Sequence, residues 1–368
     1  MRILILSLSD KRHMPMIATY INYLESKKIS YDIICSNRYA ERQTDFVDTN
    51  DHGNVYEINM LFEPATSKLK KIMPFLLFRE KALQIIKQRK YSFIIVWNEN
   101  TAAVFSTFLA RKFRNRYCIN IRDIYTHQLG VRQLVDLSIN NACFVTVPSP
   151  EMNTKRPEKT LCVYNKDFRL MNLMNQKSSF QVKDKPIRIT HLGFYFKVQK
   201  GAQNIVDALG NDERFELYFI GQGFDTEFRE YIEKRGYKNV KVAGAFPYED
   251  TAKYLNNTDI INSYYNRFEH PSLQVSFGIK HSYTPMLCIP GIADENTCWG
   301  RLSRKYGIAY LINDKNICTL ADDLYEWYRN LDFEEFKEKC LEFNELIDGS
   351  ISDLYEKLDL LMEDIENE

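Results

Sequence analysis

The sequence predicts an α/β chain of two doubly wound, Rossmann-like domains in tandem. Three observations carry this. Short runs rich in Ile and Val recur without polar alternation, as strands buried on both faces of a parallel sheet do. Segments of helical period separate them, giving the strand, helix, strand order of doubly wound folds. The alternation lapses once, across the polar stretch 166–186, and then resumes, so that 368 residues divide into two cores of ordinary size.

The first apolar run, 3–7, is too short for the hydrophobic region of a signal peptide and fits an opening strand. Further strands of the first domain are expected at 31–35, 93–97, 117–121, 143–147 and 160–163, with helices at 14–26, 101–113 and 130–140. That domain is assigned to 1–165, and 166–186 is read as the linker. In the second domain, 186–345, strands at 187–193, 215–220, 239–243, 259–263 and 285–289 alternate with helices at 200–209, 225–235, 248–256 and 271–283. Beyond Leu311 the chain becomes amphipathic, with Leu320, Leu324, Trp327 and Leu331 at helical spacing. A last helix, at about 350–368, is expected to pack back on the first domain.

Lys plus Arg and Asp plus Glu both total 49, which excludes nucleic-acid binding through a generally basic surface. The eight cysteines are scattered with no C-x-x-C pair and read as buried thiols in a reducing compartment. No Asp-x-Asp occurs and no His, Cys or carboxylate group has ligand spacing, so no metal and no cofactor is expected. No stretch approaches the length of a membrane-spanning helix, and a cytoplasmic protein is expected. The 23 Tyr and 23 Phe suffice for two cores and leave aromatic surface for a sugar or lipid. Charge is concentrated at 67–91, where eight basic residues stand against the single acid Glu80, among Met73, Phe75, Leu76, Leu77 and Phe78. This segment reads either as a face resting on anionic lipid or as a solvated basic face over a core helix.

Ligands of open α/β sheets bind beyond the carboxyl ends of the strands, where glycines admit close approach and helix N-termini face anions. Gly193, Gly221 and Gly223 follow strands, and Lys200 precedes a helix; with Lys197 they form a candidate phosphate site. Ordinary turn glycines and solvated lysines are the alternative. Arg122 and Asp123 follow a buried strand, where they can reach a ligand's phosphate and hydroxyls or serve as structural caps. His127 is a weaker candidate of that kind. Ser9 and Asp10 occupy the turn after the first strand. Glu269 and Ser272 lie at the start of the expected helix 271–283, suited to ribose hydroxyls and a phosphate. His191, inside a strand, reads as a core histidine.

Taken in order, these segments resemble the GT-B glycosyltransferases, and within them the family 4 type that builds bacterial polysaccharides and capsules. Leu192-Gly193, Lys200-Gly201 and Ala208-Leu209 resemble that family's first donor-domain strand, lysine-glycine turn and helix. Phe219 to Gly223 resembles the second strand and its glycine turn, and Asn239 to Gly244, Tyr254-Leu255 and Thr258 to Ile260 follow in the family's succession. In the first half Ile121 to Tyr125, Thr146 to Met152 and Val163 to Asn165 match more loosely. The resemblance implies two domains facing across a cleft, the first binding an acceptor and the second a nucleotide-diphospho-sugar. It implies metal-independent, retaining transfer of a hexosyl-type sugar to a hydroxyl of a lipid-linked or surface glycan, with Asp123, Arg122 and Lys200 at the reaction and Gly193, Lys197, Gly221, Gly223, Glu269, Ser272, Ser9 and Asp10 on the donor. Two departures stand out. The family's glutamate pair falls near His270 and Gly278, and its arginine after the first glycine is Phe194. A sugar-nucleotide 2-epimerase on the same fold, or a catalytically silent partner of another transferase, therefore stays open.

Overall fold

The computed structural model describes residues 1–37, 45–60, 68–122, 129–152, 154–180, 185–195, 200–265, 271–313 and 315–367. The chain divides into two compact units, Met1–Tyr164 with Ser350–Glu368, and Asn165–Gly349.

In the first unit the order is β1 (Arg2–Ser7), α1 (Ile17–Ser26), β2 (Ser30–Asn37), β3 (Phe46–Asn50), β4 (Gly53–Asn59), α2 (Lys68–Gln88), β5 (Phe93–Trp97), α3 (Glu99–Lys112), β6 (Tyr117–Asn120), α4 (Leu129–Asn141), β7 (Phe144–Val147) and β8 (Thr160–Cys162). They build an eight-stranded sheet, β3-β4-β2-β1-β5-β6-β7-β8, parallel except for β3 on β4. Ile3, Leu4, Ile5 and Leu6 of β1 are all fully buried, which explains their unbroken apolar run. The one charged residue buried in β2, Asp32, is satisfied by Arg2 Nη1 at 2.8 Å, the Asn54 N–H at 2.8 Å and the Tyr91 hydroxyl at 2.7 Å. The β3–β4 hairpin was not expected. As an edge strand β3 is largely exposed and carries Asp48, Thr49 and Asn50, so it has no apolar signature. Its turn is held by Asn50 Oδ1, which accepts from the N–H groups of His52 and Gly53.

The second unit contains α5 (Phe168–Met171), β9 (Ile187–Leu192), α6 (Gly201–Leu209), β10 (Phe215–Ile220), α7 (Arg229–Arg235), β11 (Val240–Ala243), α8 (Thr251–Leu255), β12 (Ile260–Asn262), α9 (Pro271–Val275), α10 (Tyr283–Leu287), β13 (Gly291–Asp294), α11 (Cys298–Tyr306), β14 (Ala309–Ile312) and α12 (Leu320–Arg329). Its sheet is parallel throughout in the order β11-β10-β9-β12-β13-β14, the doubly wound order that reverses direction between the first and fourth strands. The reversal lies between β9 and β12.

Three expectations for this unit are corrected. Residues 285–289 do not form a strand: Tyr283–Leu287 is a helical turn ended by Cys288 at φ 53°, and the strand follows at Gly291–Asp294. Every residue from Tyr283 to Leu287 is buried, so its apolar run has no period to betray a helix. The helix expected over 271–283 breaks after Val275; Gly278 is extended and starts a separate 3₁₀ turn, Ile279–Ser282. The polar stretch 166–180 belongs to the second unit, where Leu170 is fully buried and Asp167 accepts from the Tyr283 hydroxyl at 3.1 Å.

The last helix, α13 (Phe333–Asn367), is longer than expected. Its earlier residues pack in the second unit, where Phe343 meets Phe277 and Trp299 and Asn344 Nδ2 donates to the Pro285 carbonyl at 2.8 Å. From Ser350 it packs in the first. There the Tyr23 hydroxyl donates to Asp359 at 2.9 Å, and that of Tyr355 donates to the Thr19 carbonyl at 2.9 Å.

Candidate functional site

The carboxyl edge of the second unit's sheet is built from glycine. β9 and β10 pair in register with Leu192 beside Ile220, so Gly193 and Gly221 leave their strands side by side. Their backbones nearly touch: a Cβ on Gly221 would lie 1.7 Å from the Gly193 carbonyl oxygen, and Gly221 has φ 140°. Gly223, at φ 90°, approaches the Tyr195 carbonyl, which a Cβ would meet at 2.5 Å. Backbone bonds stitch this edge, from Gly193 N to Ile220 O at 3.0 Å, Tyr195 N to Gln222 O at 2.9 Å and Gly221 N to Ala243 O at 3.0 Å. The three glycines thus sit together, each where a side chain cannot.

Beside them, at the reversal between β9 and β12, is a group that sequence reasoning did not single out. Lys280, on the turn Ile279–Ser282, donates through Nζ to the Tyr265 hydroxyl. A Cβ placed on Gly193 would come within 2.9 Å of Lys280 Nζ, 3.4 Å of Tyr265 Oη and 3.7 Å of His191 Nε2, so all three polar groups gather over that glycine. By area Lys280 is half-buried. Enclosure of its ammonium group lowers its pKa to about 7. His191 is a core residue, as expected, stacked on Phe219 and edge-on to Phe224 and Tyr265. Burial, and then the nearby Lys280, hold its pKa well below the usual imidazole range, so it is neutral. The side-chain atoms Asn262 Nδ2 and Ser263 Oγ are buried at this reversal without hydrogen-bond partners.

Lys200 lies exposed just ahead of α6, whose first turn begins at the buried Gly201. Ser272 is buried in α9. That five-residue helix gives little of the dipole that the expected long helix would have supplied, and the phosphate-binding argument for Ser272 weakens accordingly. Lys197 and Glu269 lie outside the described residues.

The other candidates lie in the first unit, also at carboxyl ends. Ser9 and Asp10 follow β1. Ser9 Oγ accepts from Asn98 Nδ2 at 2.8 Å, Asp10 is buried, and its carbonyl starts the turn at Lys11–His13. Arg122 follows β6; its Nη1 donates to the Val163 carbonyl at 3.2 Å and its guanidinium lies 5.9 Å from the Trp97 ring centroid. Asp123 and His127 lie outside the described residues. Asn98, after β5, was missed. It holds φ 66°, ψ 164°, a backbone conformation nearly reserved for glycine, while its Oδ1 caps α3 by accepting from Thr101 N at 3.0 Å. Among the described residues no three His, Cys, Asp or Glu side chains gather as metal ligands.

The geometry is thus a bare backbone edge with a half-buried lysine over it, at the place where α/β sheets receive ligands. No protein-family model and no curated protein sequence matches the chain. Solved structures do match along its whole length. The sucrose-phosphate synthase of Thermosynechococcus elongatus is 14% identical over 98% of this chain and 99% of its own, with a TM-score of 0.72. Anabaena HepE in complex with UDP is 15% identical over 98% of this chain and 100% of its own, at 0.69. The lipopolysaccharide outer core galactosyltransferase WaaB is 13% identical over 98% and 100%, at 0.60. At these identities the likeness establishes the fold. It is α/β with two parallel Rossmann-like sheets, as in GT-B glycosyltransferases.

Proposed function

We propose that the protein is a GT-B glycosyltransferase that takes a hexosyl group from a nucleotide-diphospho-sugar, bound over the Gly193–Gly221 edge, and passes it to a hydroxyl of a lipid-linked or surface glycan at the cytoplasmic face of the cell membrane. The observation that carries this is the cation at the glycine edge: Lys280 over Gly193, beside the abutting Gly221. When the bond between C1 of the sugar and the diphosphate oxygen breaks, negative charge grows on the departing phosphate. A lysine partly withdrawn from water acts there more strongly than a fully solvated one. Amide groups beyond β9 and β10 and the N-terminus of α6 add to it. His191, held neutral, leaves Lys280 as the local charge. On the family resemblance the nucleoside diphosphate leaves without a metal, the sugar is transferred with retention and the acceptor binds the first unit, while Asp123 would orient a hydroxyl or, in an inverting enzyme, act as base. UDP bound to HepE and UDP-2-fluoro glucose bound to a trehalose-6-phosphate protein of E. coli support a uridine donor.

Two expected results follow. With a pKa of about 7 in the empty site, Lys280 must be protonated to hold a diphosphate, so donor affinity falls about tenfold per pH unit above 7, until the pH reaches the raised pKa of the complex. Calorimetric titration between pH 6 and pH 9 checks this, and the slope disappears in Lys280→Met. Lys200→Ala lowers turnover by about tenfold with the fold intact, less than the loss at Lys280, because its exposed ammonium is screened by water. Steady-state rates decide it.

Incubation with a panel of nucleotide-sugars tests the function itself. Slow release of nucleoside diphosphate with transfer to an added glycan acceptor is expected. Free altered sugar would indicate an epimerase instead, and no turnover with any donor a silent partner.

A further inference from the structure

α2 presents an unusual face. Ile72, Met73, Leu76 and Leu77 are each half-exposed, at 50%, 57%, 51% and 54%. Their spacing, with pairs four residues apart, gathers them on one side of the helix. The opposite side is anchored: Phe78, Ala82 and Ile86 are buried, and the Phe78 ring meets Phe105 of α3 edge-on at 6.3 Å. The apolar stripe is therefore not a misplaced core face.

The charge of this segment's sequence is one-sided, with Lys81 alone among its described lysines paired to an acid, Asp45. The first turn of α2 reads Lys68, Leu69, Lys70, Lys71, and Arg79, Lys81, Lys87, Arg89 and Lys90 follow, with Glu80 as the single acid between 67 and 91. In a chain whose formal net charge is zero, this segment alone carries an excess of seven positive charges, eight basic residues less one acid. Apolar side chains standing in solvent on a helix whose sequence is rich in lysine and arginine are the complement of a surface that is negative at its headgroups and apolar just beneath. No described helix is long and apolar enough to cross a membrane, so the contact is lateral.

We infer that the exposed face of α2 is a docking surface for an anionic lipid bilayer, with Ile72, Met73, Leu76 and Leu77 entering the headgroup boundary and the flanking lysines binding lipid phosphates. The face lies on the first unit and needs no donor, so it stands or falls apart from the glycosyl-transfer reading. A second copy of the chain is the competing occupant. It is less suited, because two such faces would bring their positive charges together.

Sedimentation of the full-length protein with vesicles tests the proposal. The expected result is binding to phosphatidylcholine vesicles containing about one third phosphatidylglycerol, weakened at high salt, and little binding to pure phosphatidylcholine. Leu76→Asp with Leu77→Asp is expected to weaken binding by about tenfold or more at both low and high salt. Lys68→Glu with Lys70→Glu and Lys71→Glu is expected to weaken it at low salt only. Donor hydrolysis and circular dichroism should be unchanged in both, since none of the five positions is assigned to the donor site and Leu76 and Leu77 are each about half exposed. Wild-type protein left in the supernatant with anionic vesicles would overturn the proposal. So would vesicle binding that both variants retain, or an apolar variant that turns a dimer into a monomer without altering vesicle binding.

Discussion

Replacing Lys280 with methionine is expected to lower turnover by about two to three powers of ten, the cost of removing one preorganised group that meets developing negative charge. Methionine keeps the length and the apolar stem of lysine, so the Tyr265 and His191 rings keep their packing. The effect should fall on kcat as well as on donor affinity, because the departing diphosphate carries more charge in the transition state than in the bound donor. Stability should move the other way. In the unfolded chain Lys280 holds its proton up to the ordinary lysine range, near 10.4, whereas in the folded one it gives it up near 7. The unfolded state thus binds more protons between those values, and wild-type stability rises with pH across that interval and is lowest below about 7. Methionine removes that dependence and so leaves the protein as stable or more stable at neutral pH. Activity lost with a melting point held or raised is the signature of a site residue and not of a core defect; rates and a thermal melt on one preparation distinguish them.

Gly221→Ala is expected to produce the largest loss of stability of any single methyl group added to the second unit. The methyl would have to share space with the Gly193 carbonyl oxygen, and the backbone at φ 140° disfavours any Cβ. Steric overlap and backbone strain each cost roughly 1–3 kcal/mol, a large part of the 5–15 kcal/mol that typically holds a domain together. For a unit of this size that is a fall of about 10 °C in melting temperature. Gly349→Ala is the control. That glycine lies within α13 with nothing within 4 Å of an added methyl, so alanine there should stabilise the helix by about 0.5–1 kcal/mol. Similar melting points for the two variants would contradict the abutting geometry of Gly193 and Gly221.

Much of this framework is legible in the sequence because it depends on local patterns. Buried parallel strands such as β1 and β5 leave unbroken apolar runs, and the glycines after β9 and β10, Gly193, Gly221 and Gly223, mark the second sheet's carboxyl edge. What was not legible depends on contacts between distant segments. The hairpin of β3 and β4 is polar because it forms a sheet edge. The turn carrying Lys280 was hidden in an apparent helix, and only the glycine at 278 hinted at the break. Lys280 itself reads as one more surface lysine until the fold brings it over Gly193, far back along the chain. It stands two residues beyond Gly278, where the family resemblance calls for a carboxylate. A positive group near that position is a reason to look for a donor gripped by charge instead of through its ribose. Asn98 illustrates the same limit: its strained backbone is set by the bond to Ser9 and the cap on α3, neither visible from neighbouring residues.

A crystal structure of the protein with a bound nucleoside diphosphate tests the central claim most directly. The distal phosphate is expected within hydrogen-bond reach of Lys280 Nζ, lying over Gly193 and Gly221, with the same crystals of Lys280→Met showing weakened or absent density for it. A diphosphate bound with full occupancy elsewhere, or bound equally well in both proteins with Lys280 turned away from it, would contradict the account.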